Sequence, residues 1–522
     1  MLHAVRASVP FLLRIAGVAS LGCALAACSL GNIAVDRCTS NDACASAFGP
    51  GSTCDDGFCS AATNCESTAE CRTAFGYGTV CDSGRCAFAP AEPRCNLSEP
   101  PELAASLPGS IGQRILIGAL LKDSPSQNAR ASAMQLAVSE INGAGRIDGF
   151  PVGLLICRND VGEGTSDNDE TARLTDYLAG TLGVPLILGP ASSSNVAAAV
   201  AKLKVRELPT ALISPSATAA GLSDDPVVFG GRGPTLFWRT CPRDSLQAAV
   251  LVSEMEKVAP SSVAVVYQND PYGSGIESDF RSGWKTIAPT ATLDSIPFRI
   301  DSNLDADLAN AAADAKAKSP SALLLVSADA AHTLKFFNEL VKVGYAPPKL
   351  FLTDGSRSKV LLDPMLPEAV KDLMRSAVGT GPAAFDPAAG AAYEAFGTRM
   401  QSFYGVTVTN FGFVSHSYDA AYVGAYGLLA GLAKSGRKLA AFDGFDVAEG
   451  FTRLSKGPSV KVGQDAFGTA IKSLTGNGTI DIAGISGPLN FDPNRGEAPG
   501  PIEVWAANSA FDDFEQRSVV SP

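Results

Sequence analysis

Histidine is almost missing from this chain of 522 residues, which holds three. His3 lies in the opening apolar stretch. Neither His332 nor His416 stands beside a nucleophile motif, and each reads as a structural residue on a helix. The patterns Gly-x-Ser-x-Gly, His-Glu-x-x-His and Gly-x-x-x-x-Gly-Lys are all lacking, so the common hydrolase, metalloprotease and nucleotide-hydrolase sites have no support. No enzymatic activity, cofactor or metal ion is expected. Charge is also scarce: Asp, Glu, Lys and Arg make up 18% of the chain, with a formal net charge of -12. No basic stripe interrupts that acidity, which argues against a nucleic-acid partner. Beyond the first 27 residues no apolar run is long enough to span a bilayer. What the chain does have is 46% hydrophobic residues, enough for two or three domains, and 13 cysteines.

The first 27 residues read as an export signal. Arg6 supplies the positive start, and 10–27 is largely apolar and rich in small residues. The stretch ends Leu25-Ala26-Ala27-Cys28, which resembles the bacterial lipobox, with Cys23 as a poorer second candidate. That resemblance implies a lipid-modified Cys28 and a chain held at the periplasmic face of a bacterial membrane or at the cell surface. Several acyl chains, each stabilised by about 0.8 kcal/mol per buried methylene, would keep it there.

Residues 28–89 contain a duplication. Cys38, Cys44, Cys54 and Cys59 have the same spacing as Cys65, Cys71, Cys81 and Cys86. The flanks repeat as well, with Ala47-Phe48-Gly49 matching Ala74-Phe75-Gly76. Each unit is too small to bury a core, so two disulfides per unit are expected to hold it. No Cys-x-x-Cys and no histidine occur in the segment, which disfavours zinc. The pairing stays open, since four cysteines allow three connectivities. The module reads as a spacer or a partner-binding face. Cys95, Cys157 and Cys241 are left over; an odd number leaves at least one thiol free or bridged elsewhere, and Cys157 reads as a buried strand residue. Residues 90–112, rich in proline, read as a linker.

From residue 113 the pattern changes. Continuous apolar runs at 114–121, 152–157, 186–188 and 210–213 alternate with amphipathic helical stretches at 129–142, 171–182 and 195–205. A second series follows, with strands at 262–267, 322–326 and 350–352 and helices at 275–284 and 331–343. Alternation of this kind predicts parallel, doubly wound α/β sheets.

Several segments carry a more specific likeness. Leu136 to Gly149, Leu188-Gly-Pro-Ala-Ser-Ser-Ser194, Ile213-Ser-Pro-Ser-Ala-Thr218, Trp238-Arg-Thr-Cys-Pro-Arg-Asp244, Asp270-Pro-Tyr-Gly-Ser-Gly275, His416-Ser-Tyr-Asp-Ala-Ala421 and Gly487-Pro-Leu-Asn-Phe-Asp492 occur in order. Together they resemble the solute-binding proteins of ABC importers, of the leucine/isoleucine/valine-binding type. The resemblance implies two doubly wound lobes joined by crossing strands, lobe 1 from 113–241 and 385–475, lobe 2 from 242–384 and 476–522. It also implies a small ligand, an amino acid or a related carboxylate or amide, and an ABC permease as partner. A ligand sensor or a surface adhesin with the same fold is the alternative.

Ligands of open α/β sheets bind beyond the carboxyl ends of the strands, where helix N-termini favour anions. Ser192, Ser193 and Ser194 precede a predicted helix there, and ordinary N-capping by one serine is the competing use. By resemblance, Ser216, Ala217 and Thr218 contact the ligand from lobe 1. Tyr272, Asp329 and Asp354 contact it from lobe 2, with Asp354 facing an ammonium group. Turn chemistry is the other use of Asp354-Gly355. The chain departs from the family pattern at Leu121-Lys-Asp-Ser-Pro125, which lacks the usual Gly-Pro turn. It departs again at Ala191, where some relatives carry a cysteine.

Overall fold

The computed structural model describes residues 38–521 apart from 56, 61–63, 107–113, 162–166 and 437–441. The segment expected to be an export signal and Cys28 lie outside the described residues.

The duplication folds twice in the same way. Helix α1 (Asn41–Phe48) is followed by the hairpin β1 (Thr53–Asp55) and β2 (Phe58–Ser60). Helix α2 (Thr68–Phe75) is followed by β3 (Thr79–Asp82) and β4 (Arg85–Phe88). Disulfides join Cys38 to Cys54 and Cys44 to Cys59, then Cys65 to Cys81 and Cys71 to Cys86. One pairing of the three therefore serves both units: first to third, second to fourth. The units also touch. A Cβ at Gly49, which ends α1 with φ of 95°, would lie 2.5 Å from the Cys86 carbonyl oxygen. Two cysteine trios approach closely enough to suggest a metal, yet all six sulfurs are in disulfides and offer no thiolate.

The first α/β lobe begins inside the segment expected to be a linker. Strand β5 (Leu97–Glu99) and helix α3 (Glu102–Ser106) open it, and β6 (Ile115–Leu121), α4 (Pro125–Ala144), β7 (Val152–Arg158) and α5 (Asp167–Thr175) follow. Then come β8 (Leu186–Leu188), α6 (Ser193–Arg206), β9 (Ala211–Ser214) and β10 (Phe237–Arg239). The sheet order is β10-β9-β8-β6-β7-β5, parallel except for β5. Every residue of β6 is buried, which is why it reads as an unbroken apolar run. Residues 90–112 are thus not a free linker. Cys95 bridges Cys157, the Tyr177 hydroxyl donates to the Pro90 carbonyl at 2.9 Å, and Arg173 pairs with Glu92 at 2.6 Å. Cys157 is the buried strand residue expected, bridged to Cys95, and Cys241 is left as the free, buried cysteine among the described residues.

The chain crosses at 240–243 into the second lobe. It contains α7 (Asp244–Glu256), β11 (Ser262–Gln268), α8 (Pro271–Ile287), β12 (Thr292–Phe298), α9 (Leu304–Lys318), β13 (Ala322–Val326), α10 (Ala330–Val343), β14 (Leu350–Leu352), α11 (Glu368–Ser376) and β15 (Ala377–Pro382). It then returns to lobe 1 with α12 (Gly390–Tyr404), α13 (Val414–Ser435), α14 (Gly444–Phe451), β16 (Ser459–Lys461), α15 (Gln464–Thr475) and β17 (Asp481–Ala483). A last crossing adds β18 (Ile502–Ala507) and β19 (Phe514–Val520) to lobe 2, whose order is β12-β11-β13-β14-β15-β18-β19. The boundary expected at 475 falls later. Ile480, Ile482, Ile485, Leu489, Phe491 and Ala498 pack in the core of lobe 1, because their apolar side chains close over α13 and α15 rather than over the second sheet.

The duplicated module docks on lobe 1. Tyr77 is buried beside Leu182 and Val184, and Arg72 lies over its ring, 5.7 Å from the centroid. Arg72 also donates to the Gly183 carbonyl at 2.6 Å. Gly183 precedes β8, so the module sits at the amino ends of the strands. The cleft lies at their carboxyl ends, on the far side.

Candidate ligand-binding cleft

Loops at the carboxyl ends of both sheets face each other across the cleft. In lobe 1, Ser192 is the N-cap of α6. Its hydroxyl accepts from the Asn195 amide at 3.3 Å and donates to the Asn195 side chain at 2.7 Å. The capping use of this serine is therefore real. Ser193 is buried and accepts from the Ala219 amide at 3.2 Å, tying two loops together. Ser194 crosses the cleft and donates to Asp270 at 2.6 Å. Ser216 donates to the Ala191 carbonyl at 2.8 Å and accepts from Arg130 at 3.0 Å. The Ala217 carbonyl accepts from Arg239 at 3.2 Å. Thr218 is buried and faces Asp244.

In lobe 2, Tyr272 occupies the first turn of α8. Its buried hydroxyl lies 2.9 Å from Thr353 and 2.6 Å from the Asp354 carboxylate. The structure therefore joins Tyr272 and Asp354 as a pair. Asp329 is not part of this group. It is exposed and caps α10, accepting from the Ala331 amide at 2.7 Å. Its place at a helix start on the rim is set by capping, which competes with an inward pose.

Four cleft residues were not singled out from the sequence. Arg130, on α4, stacks on Phe413 at 5.1 Å and donates to the Gly412 carbonyl at 3.1 Å as well as to Ser216. Those bonds use Nε and Nη1 and leave Nη2. Asp244 and Gln247, on α7, and Thr380, on β15, are each at most 1% exposed. The signals were present: Arg130 is a lone cation among small residues, and Asp244 ends the quoted Trp238–Asp244 motif.

The electrostatics are unusual for a protein interior. Burial pushes the Asp354 carboxyl up, countered by the Tyr272 hydroxyl, Gln247 and Arg130. Burial and the neighbouring Asp354 hold Asp244 well above the usual carboxylate range. Burial brings Arg130 down to about 10, opposed by Asp354. His416, beside Arg130, is driven to about 3 by burial first and that cation second, so it is neutral at ordinary pH. Asp244 lies against Thr218, and Asp354 against Gln247, without completing the geometry of a hydrogen bond. Six buried side-chain atoms are consequently without protein partners: Thr218 Oγ1, both Asp244 oxygens, Gln247 Oε1, Thr380 Oγ1 and His416 Nδ1. Native interiors carry few such atoms, and a polar guest is a physical way to satisfy them.

Two α/β lobes that meet over a buried polar cluster define a two-lobed ligand-binding protein. A sequence profile of the periplasmic binding protein family matches residues 118–507, well over half of the chain, and the chain belongs to that family. Members bind solutes outside the cytoplasm. Among solved structures, the leucine-binding protein LivK of Thermotoga maritima is similar at 17% identity, with a TM-score of 0.58 over 78% of this chain and 99% of that one. The branched-chain amino-acid substrate-binding protein LivJ of Streptococcus pneumoniae, solved with isoleucine, is 21% identical, with a TM-score of 0.58 over 78% and 100%. A solute-binding protein of R. palustris, solved with benzoate, is 15% identical, with a TM-score of 0.56 over 78% and 97%. These identities establish the fold. Among curated proteins none matches the chain.

Proposed function

We propose that this chain is an extracytoplasmic lipoprotein, anchored through Cys28, that captures a small amino-acid-like ligand between its lobes for an ABC importer. The observation that carries the ligand class is the pairing of opposite charges across the buried cluster. Arg130, held by its bonds to Ser216 and Gly412, offers the donors of its Nη2 to a carboxylate, and Arg is suited to that geometry. Asp354, oriented by Tyr272, accepts from an ammonium group. A carboxylate is common to the isoleucine and the benzoate held by the two relatives above. Cys241 and His416, both buried near Arg130, are neutral groups.

The test is a thermal-shift screen of amino acids, amides and small carboxylates on the purified chain. A ligand at a hundred times its Kd raises stability by about 2.7 kcal/mol, an ample signal. A reproducible rise with one ligand class supports capture. Turnover of that ligand would point to an enzyme, and silence across the whole library would remove the capture reading. Palmitate labelling checks the anchor: label retained in Cys28→Ala would sink it.

A further inference from the structure

We propose that the captured ligand carries one more positive than negative charge, as a diamino acid does, and that Asp244 is the residue that selects it. The inference rests on the capture reading above and concerns the ligand's charge.

Charged groups crowd around the cluster. Asp244 faces Asp354, Arg239 and Asp279, with Thr218 against it. Asp354 faces Arg130. Arg239 is fully buried and is bound to Glu497, which also pairs with Arg243 at 3.2 Å. Asp279 in turn sees Arg243. Cys241 stays a thiol, since burial pushes it up to about 12, and His416 is neutral. Four guanidinium groups, those of Arg130, Arg239, Arg243 and Arg495, therefore meet five carboxylates, those of Asp224, Asp244, Asp279, Asp354 and Glu497, from the buried cleft out to the surface. The unmatched charge falls on Asp244. Its side chain is fully buried, and neither oxygen completes a hydrogen bond. Asp354 has Tyr272, Glu497 has Arg239, Arg243 and Arg495, and Asp224 has Arg495, while the half-buried Asp279 faces Arg243 with one oxygen left without a hydrogen bond.

An isolated buried carboxylate is costly, and a cation removes that cost. An α-amino acid with an apolar side chain brings one carboxylate for Arg130 and one ammonium for Asp354, and leaves Asp244 unmatched. A ligand with a second amine or a guanidine supplies the missing charge. Thr218 Oγ1, Gln247 Oε1 and Thr380 Oγ1, all buried acceptors without protein partners, complete a donor-accepting shell for that group. Asp244 contacts the ligand's second cation in this reading and sets specificity, while Asp354 and Arg130 hold the common backbone of the ligand.

Isothermal titration with ornithine, lysine, leucine, isoleucine and glutamate at neutral pH tests this on the unaltered protein. The expected order places ornithine or lysine at least tenfold tighter than leucine, with glutamate weakest. Asp244→Asn is expected to lower ornithine affinity at least tenfold more than it lowers leucine affinity. Its melting temperature without ligand should be equal or higher, since a fully buried carboxyl group without a hydrogen-bond partner is gone. Leucine binding as tightly as ornithine would overturn the proposal and leave the capture reading intact. Unchanged ornithine affinity in Asp244→Asn would overturn the role of that residue. Binding by none of the five, with a flat thermal-shift screen, would remove both readings together.

Discussion

His416 sits on α13 with its ring 5.4 Å from that of Phe413 and is buried. Its pKa falls from 6.5 in the unfolded chain to about 3 in the fold. A depressed folded pKa means that stability is full above 6.5 and declines as pH falls from there toward 3, because the unfolded chain takes up the proton first. The slope from this group is about 1.4 kcal/mol per pH unit. Urea unfolding at pH 7 and pH 5 should show a loss in the native protein about 2 kcal/mol larger than in His416→Gln. Tyr272→Phe removes the hydroxyl that orients Asp354, and ligand affinity by calorimetry should drop about tenfold, the weight of one hydrogen bond to a charged group. An unchanged Kd would mean that the pair lies outside the binding surface. Tyr272 and Asp354 were singled out in the sequence by the resemblance of the segments around them, and the structure brings the two together. Arg130 was not singled out. Its partners Ser216 and Gly412 lie 86 and 282 residues away, so only the folded chain brings them together.

The elements follow the same division between local and distant causes. Strands β6, β7, β8, β9, β11, β13 and β14 were legible because parallel strands covered on both faces are apolar throughout. Strand β5 was read as linker. It has three residues among prolines, and its identity comes from pairing with β7. The helices and strands between 385 and 498 were assigned in bulk. The final return to lobe 2 was placed too early, since small and apolar residues there suit either core. Helices α6 and α8 meet across the cleft through Ser194 and Asp270. Ser194→Ala should shift the lobes toward an open arrangement and weaken ligand binding roughly three- to tenfold. Small-angle scattering would register the change as a larger radius of gyration without ligand, equalised once ligand is saturating. Equal radii in both proteins would show that this contact carries no weight in closure.

At the scale of the whole molecule, stability is divided between two devices. The lobes have large apolar cores, while each duplicated unit depends on two disulfides that close loops of 16 and 15 residues. Each such bridge is worth about 3 kcal/mol. Mild reduction should therefore abolish a separate calorimetric transition of the module and leave ligand affinity within about twofold, because the module docks at the strand ends opposite the cleft. Loss of ligand binding on reduction would show that the module supports the cleft after all. The crossings have a further consequence, for biosynthesis. Lobe 1 needs 480–498 to close its core, and lobe 2 needs β18, whose Trp505 is fully buried and packs on Gly379. Neither lobe can finish while the ribosome still holds the final residues. A chain threaded across a membrane as it is made would thus stay unfinished on both sides of its hinge until release, and a released chain ending before Ile502 would keep the core of lobe 1 but lack β18, leaving lobe 2 open to proteolysis.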